Sequence, residues 1–138
     1  MMIARERAAL RRRSLSRPLR HAVEDGFVAE GSSVFDFGCG HGDDIRELRT
    51  RGLDAEGWDP ALRPNVELRA ADLVNLGYVL NVIENLEERV SALRTAWELT
   101  RRVLVVAVRT VHERRELHGE ALADGLVTRR STFQKFFE

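Results

Sequence analysis

The chain has one cysteine (Cys39), one lysine (Lys135), one tyrosine (Tyr78) and three prolines in 138 residues. A lone cysteine excludes an internal disulfide and suits a reducing, cytoplasmic setting. No run of 18 apolar residues occurs, so no membrane-spanning helix is expected. Met1-Met2-Ile3-Ala4 runs into arginines without the apolar core of a secretory signal. There is no Gly-Lys-Ser/Thr, which excludes a nucleoside-triphosphate P-loop. His21, His41, His112 and His118 do not fall at ligand spacing. His112-Glu113 lacks the second histidine of His-Glu-x-x-His, so no metal site is expected. Net charge is missing too: 22 basic residues balance 22 acidic ones, so the chain is no polyanion binder by charge alone.

The remaining composition, 43% hydrophobic and 32% charged, is that of one globular domain or part of one. The charge is unevenly placed. Residues 1–21 carry seven arginines against Glu6, a local charge of +6. The preference for arginine over lysine reads as composition bias. Residues 1–13 read as a basic segment, helical if ordered: either a solvated arm or an arm that contacts phosphate. No aromatic residue is interleaved there to stack on bases.

The centre of the sequence is Val34-Phe35-Asp36-Phe37-Gly38-Cys39-Gly40-His41-Gly42-Asp43-Asp44. An apolar run ends in an acid, glycines follow at alternate positions, and two acids open a helical pattern. This is a buried strand, a tight turn and a helix start. Such turns lie at the carboxyl ends of strands, where open α/β sheets bind small molecules. A dinucleotide fingerprint needs its third glycine at position 43, where Asp43 stands. Asp43 and Asp44 complement the helix dipole but repel a phosphate. The loop therefore prefers a cationic or neutral ligand.

Acid-x-Gly-x-Gly-x-Gly resembles motif I of the class I S-adenosylmethionine-dependent methyltransferases, whose cofactor carries an ammonium and a sulfonium. A second acid is then expected about 20 residues on, for the ribose hydroxyls. Asp59, in Gly57-Trp58-Asp59-Pro60, lies 19 residues after Gly40.

Along the chain, Ser16, Pro18 and Gly26 bracket a helix over 17–25. A strand at 34–37, a helix at 43–51 ended by Gly52 and a strand at 55–59 follow. Only 12 residues, with Pro60 and Pro64, separate Asp59 from Asp72. That leaves room for a shortened or missing helix and a vestigial strand near 66–69. A buried strand is expected over 72–78, with Leu73, Val74 and Leu76 inward. A helix is expected over 85–101, with Leu86, Val90, Leu93 and Trp97 as its core face. Val103–Val108 reads as a central parallel strand. Alternation of strands and helices predicts βαβ units. Beyond Arg109 the pattern weakens. No closing antiparallel hairpin is visible, and the aromatic end implies a domain incomplete at its C-terminus. The expected organisation is a basic segment 1–13 and a methyltransferase-like domain 14–138.

Asn75-Leu76-Gly77-Tyr78 ends the 72–78 strand. Amino methyltransferases acting on adenine or cytosine carry Asp/Asn-Pro-Pro-Tyr/Phe there, to hold the amine and stack on the base. Here both prolines are replaced. Base methylation, a small-molecule methyltransferase whose residues line the cofactor, and a buried Asn beside a core Tyr all account for the run. Cys39 reads as a small loop residue near the cofactor, since no basic activator accompanies it.

Several stretches together resemble the DNA phosphorothioation-associated methyltransferases. They are Ser14–Leu19, Glu24-Asp25-Gly26, the glycine loop from Val34 to Asp44, Gly57-Trp58-Asp59-Pro60 with Arg63-Pro64, Ala71–Glu84, and Leu126–Arg130 with Thr132–Lys135. The run Asn75–Ile83 is the most specific. The resemblance implies a Rossmann-like α/β class I methyltransferase sheet, abbreviated after strand 2 and lacking the C-terminal hairpin, that binds S-adenosylmethionine in a DNA-modification context. Carried over by motif, Asp36 faces the ammonium side, Gly38, Gly40 and Gly42 give the backbone room beside Cys39, and Asp59 takes the ribose. Pro60 lies against the adenine, Asn75 and Leu76 touch the methionine part, and Asn75 and Tyr78 are the catalytic candidates. The adenine-contacting acid after strand 3 has no counterpart, and the methyl acceptor is not specified. Two rival readings stand beside this one: a non-catalytic module docking on DNA or DNA-modification proteins through its arginine arm, and, disfavoured by Asp43, a nicotinamide-dependent oxidoreductase.

Overall fold

The computed structural model describes residues 2–116 and 118–138. Its frame is a parallel sheet of four strands: β1 (Ser33–Phe37), β2 (Asp54–Trp58), β3 (Ala71–Gly77) and β4 (Thr100–Ala107), in the order β2-β1-β3-β4. Helix α1 (Arg17–Glu24) precedes β1, α2 (Asp43–Thr50) joins β1 to β2, and α3 (Leu86–Leu99) joins β3 to β4. The chain winds outward from β1 in both directions. The sheet therefore has a switch point between β1 and β3, and α/β folds open their ligand cleft at that place.

Strand alternation sorts the core onto two faces. Val34, Ala55 and Leu73 pack with Leu15, Leu19, Ile45 and Leu48 under α1 and α2. Phe35, Phe37, Val74 and Leu76 pack with Leu80 and Ala96 under α3. Leu73, Val74 and Leu76 are buried as expected. Gly26 and Gly52 follow α1 and α2 at φ +80° and +82°, the left-handed geometry that ends a helix.

Four expectations need correction. Leu86, Val90, Leu93 and Trp97 do not face the core: they are 64%, 47%, 40% and 67% exposed. Helix α3 turns its other side inward, through Arg89 and Ala96 with Ala92 and Leu99 beside them. Arg89 is accommodated by Asp124 (2.7 Å) and the Ile83 carbonyl (2.7 Å). Next, β4 lies at the sheet edge, with Val106 exposed, despite its apolar run. No strand forms at 66–69: turns and an isolated Asp59–Arg63 bridge lead into β3, because the two prolines leave too little chain for a crossover.

The fourth correction is a separate antiparallel sheet, β5 (Gly119–Leu122), β6 (Gly125–Thr128) and β7 (Phe133–Gln134). It does not join the parallel sheet, so that sheet lacks a closing hairpin among the described residues. It docks instead on Leu80–Val82, a 3₁₀ turn after β3. Lys135 N–H donates to the Asn81 carbonyl (2.8 Å), and Asn81 Nδ2 donates to Gln134 Oε1 (3.1 Å). Asn81, Phe133 and Gln134 are all buried at this seam. No described helix is long and apolar enough to cross a membrane.

Candidate functional site

A cavity of about 820 Å³ opens above the carboxyl ends of β1 and β3. The loop after β1 supplies its floor, with Gly38, Gly40 and Gly42 at φ +88°, +55° and +81°. A side chain at Gly38 would overlap Val79. The loop is also tied to β2, since Gly38 and Cys39 N–H donate to the Trp58 carbonyl (2.8 and 3.0 Å).

Asp36 and Asn75 are register partners on β1 and β3. Asn75 Nδ2 donates to Asp36 Oδ1 (3.0 Å). Burial pushes the Asp36 carboxyl up to about 7; the Asn75 hydrogen bond opposes this, and Asp44 and Asp59 add to it. Asn75 Oδ1 is buried without a partner among the described atoms. Asp59 stands at the end of β2 and accepts three backbone hydrogen bonds: Oδ2 from Gly40 (2.9 Å), Oδ1 from Ala61 (2.9 Å) and Leu62 (3.0 Å). Its first role is to clamp the glycine loop to the following turn.

Asp36, Gly38, Cys39, Gly40, Asp59, Pro60, Asn75 and Tyr78 all border the cavity. Gly42 does not; it lies against Arg63. Leu76 is fully buried in the core under α3 and contributes no surface to the cavity. Tyr78 adopts φ +58°, unusual for a bulky residue, while its N–H donates to the Ala107 carbonyl (2.7 Å). Burial, with Asp36 nearby, pushes the Cys39 thiol up to about 12, which keeps it protonated and unreactive.

Sequence reasoning missed the opposite wall. The N-terminal segment, with a 3₁₀ turn at Arg5–Ala8, is neither a free arm nor a helix but crosses the mouth of the cavity. Arg5 grips Glu84 (2.9 Å) and Glu88 (2.5 Å), and these carboxylates hold its guanidinium charged. Asp43 accepts from Arg12 N–H (2.6 Å), and Asp44 accepts from Ser16 N–H (2.7 Å). The two acids after the glycines thus anchor the segment that covers the loop. Ala9 comes to rest over Gly40. On the far side Arg109, Glu113 and Gln134 complete the rim. No local pattern announces these residues, because the contacts join positions about 80 apart in sequence.

No family model matches the chain, and no curated protein matches it. Among solved structures it is similar to a crystal structure of coclaurine N-methyltransferase bound to N-methylheliamine and SAH, with 17% identity and a TM-score of 0.41. The match covers 69% of this chain and 38% of that one, so the chain spans under two fifths of the length of that protein.

Proposed function

We propose that the chain binds S-adenosylmethionine above the ends of β1 and β3 and directs its methyl group to an acceptor entering beside Tyr78. The observation that supports this most is the Asp36–Asn75 pair. A buried carboxyl and a buried, unpartnered amide oxygen border one cavity. Buried acceptors call for a donor, and an ammonium group is a donor that also matches the charge. The group fits the residues present. Asp36 and Asn75 would hold the ammonium end, Gly38 and Gly40 give backbone room, and Asp59 has lone pairs left for ribose hydroxyls, with Pro60 beside the adenine.

When bound, the cofactor supplies an electrophilic methyl group. The protein's part is proximity and orientation: it fixes donor and acceptor in line. The crossing N-terminal segment restricts water at the same place. The likeness to the phosphorothioation-associated family supports a DNA-modification setting, with nucleic acid or DNA-modification proteins as partners of the arginine-rich segment.

A second reading is a methyltransferase-like module that binds without turnover. It is favoured by the missing helix and strand between β2 and β3, which leave the adenine side bordered by loop residues such as Ala61 and Leu68.

The test is calorimetric titration with S-adenosylmethionine, S-adenosylhomocysteine and NADH. Micromolar binding of the first two, weakened at least tenfold in Asn75→Ala, is the expected result. Binding of NADH alone, or of none of the three, would sink the proposal. Binding without methyl transfer to oligonucleotide acceptors would select the module.

A further inference from the structure

A second, smaller pocket of about 320 Å³ shares Arg109 and Gln134 with the rim of the first. Its charge is one-sided. Arg7, Arg109, Arg129, Arg130 and His118 border it, and no carboxylate does. Among the described residues none of these four arginines forms an ion pair. In a chain with zero net charge, general basicity does not account for this. Acids border the larger cavity instead, among them Asp36, Asp59 and Glu113.

The convergence is built by the fold. Arg129 and Arg130 sit on the turn between β6 and β7. That turn is closed by Thr128 N–H to the Thr132 carbonyl (2.8 Å), Ser131 N–H to the Thr128 carbonyl (3.0 Å) and the two threonine hydroxyls (2.7 Å). Ala4 N–H donates to the Ser131 carbonyl (2.8 Å), which brings Arg7 to the same turn. Arg109 follows β4 and is fixed through its carbonyl, which accepts from Phe137 N–H (2.9 Å). Gln134 spends its oxygen on Asn81, so its amide NH₂ is the end left for the pockets. Three separate segments thus hold like charges in one concavity. Their mutual repulsion is relieved by a bound anion, and guanidinium groups match phosphate oxygens in geometry.

We infer that this pocket binds a phosphate ester group, presented either by a small phosphorylated molecule or by the backbone of a nucleic acid strand. The site does not depend on the methyl-transfer reading. Only its use, holding an acceptor against the shared Arg109 edge, rests on it.

The experiment is fluorescence anisotropy of a labelled short single-stranded oligonucleotide without S-adenosylmethionine, with inorganic phosphate and a nucleoside monophosphate as competitors. The variants are R129Q/R130Q on the exposed turn and, separately, R7Q, each checked for an unchanged melting temperature. R101Q/R102Q, exposed on β4 and outside the pocket, is the charge-matched control. The expected result is roughly tenfold weaker binding for the double pocket variant and a salt slope smaller by about 1.4, as for two lost single-strand phosphate contacts. R7Q should weaken binding in the same direction, and the control should stay within roughly twofold. Displacement by the monophosphate identifies a small phosphorylated ligand; displacement by unlabelled strand alone identifies a phosphodiester chain. Equal loss in pocket and control variants, or no binding of any phosphate-bearing probe, overturns the inference. Because no cofactor is present, failure here leaves the methyl-transfer proposal standing, and failure of the calorimetric titration leaves this site standing.

Discussion

Asp36 and Asn75 face each other across adjacent strands, 3.0 Å apart at their side-chain ends, and Asp36 carries a carboxyl raised to about 7. An unfolded aspartate titrates near 3.9. Between about pH 4 and pH 7 the folded chain therefore keeps a proton that the unfolded chain has released. Stability from this group falls as pH rises through that window, by up to about 1.4 kcal/mol per unit, and levels off above it. The carboxyls held low, such as Glu84 beside Arg5, act in the opposite sense at lower pH. In Asp36→Asn the downward slope should vanish, leaving the variant more stable than the parent at pH 8. Urea melts of both proteins at several pH values check this. A cationic ligand at Asp36 favours the carboxylate, so S-adenosylmethionine affinity should rise with pH through about 7 in the parent and not in the variant.

Gly38→Ala should cost about 2–4 kcal/mol, one part from left-handed backbone and one from overlap with Val79. Gly52→Ala has a similar φ of +82° but open space around it, so it should cost only about 1–2 kcal/mol. Equal urea midpoints for the two variants would remove Val79 from the account.

Trp97→Gln separates the two faces of α3. A core tryptophan costs about 3–5 kcal/mol when truncated, whereas an exposed one stays within about 0.5 kcal/mol. With Trp97 67% exposed, the small value is expected. Thermal melts of the variant decide the matter.

Arg5→Ala should lower global stability by no more than about 1 kcal/mol, since the Glu84 and Glu88 pairs are partly exposed. It should nonetheless speed tryptic cleavage within residues 7–13 severalfold, because the segment loses its grip on α3. An unchanged digestion rate would mean that Asp43 and Asp44 hold the segment alone.

What the sequence made legible was local. The strand, the glycine turn, Asp59 and the helix starts depend on neighbours within a few positions. The choice of face on α3 does not. Leu86, Val90, Leu93 and Trp97 form one stripe at the helical period, but Arg89, Ala92, Ala96 and Leu99 form another. Small alanines let the helix approach the sheet, and Asp124 makes Arg89 tolerable there. The β5–β7 sheet was missed because its strands are two to four residues long and β5 is mostly exposed; Asp124-Gly125 was the one available turn signal. The second wall of the cavity and the basic pocket were invisible, since each joins segments far apart in the chain.

The Ala4–Ser131 hydrogen bond closes a loop across 127 positions. A contact of that span forms slowly and after local ones, because closing a long loop costs entropy before it returns any stability. The parallel sheet can assemble while residues 2–13 are still searching, and the β6–β7 turn must exist before they can dock. The first residues synthesised are thus the last to settle. A refolding experiment should show a sheet that reports early in circular dichroism and an N-terminal segment whose protection arrives in a later phase.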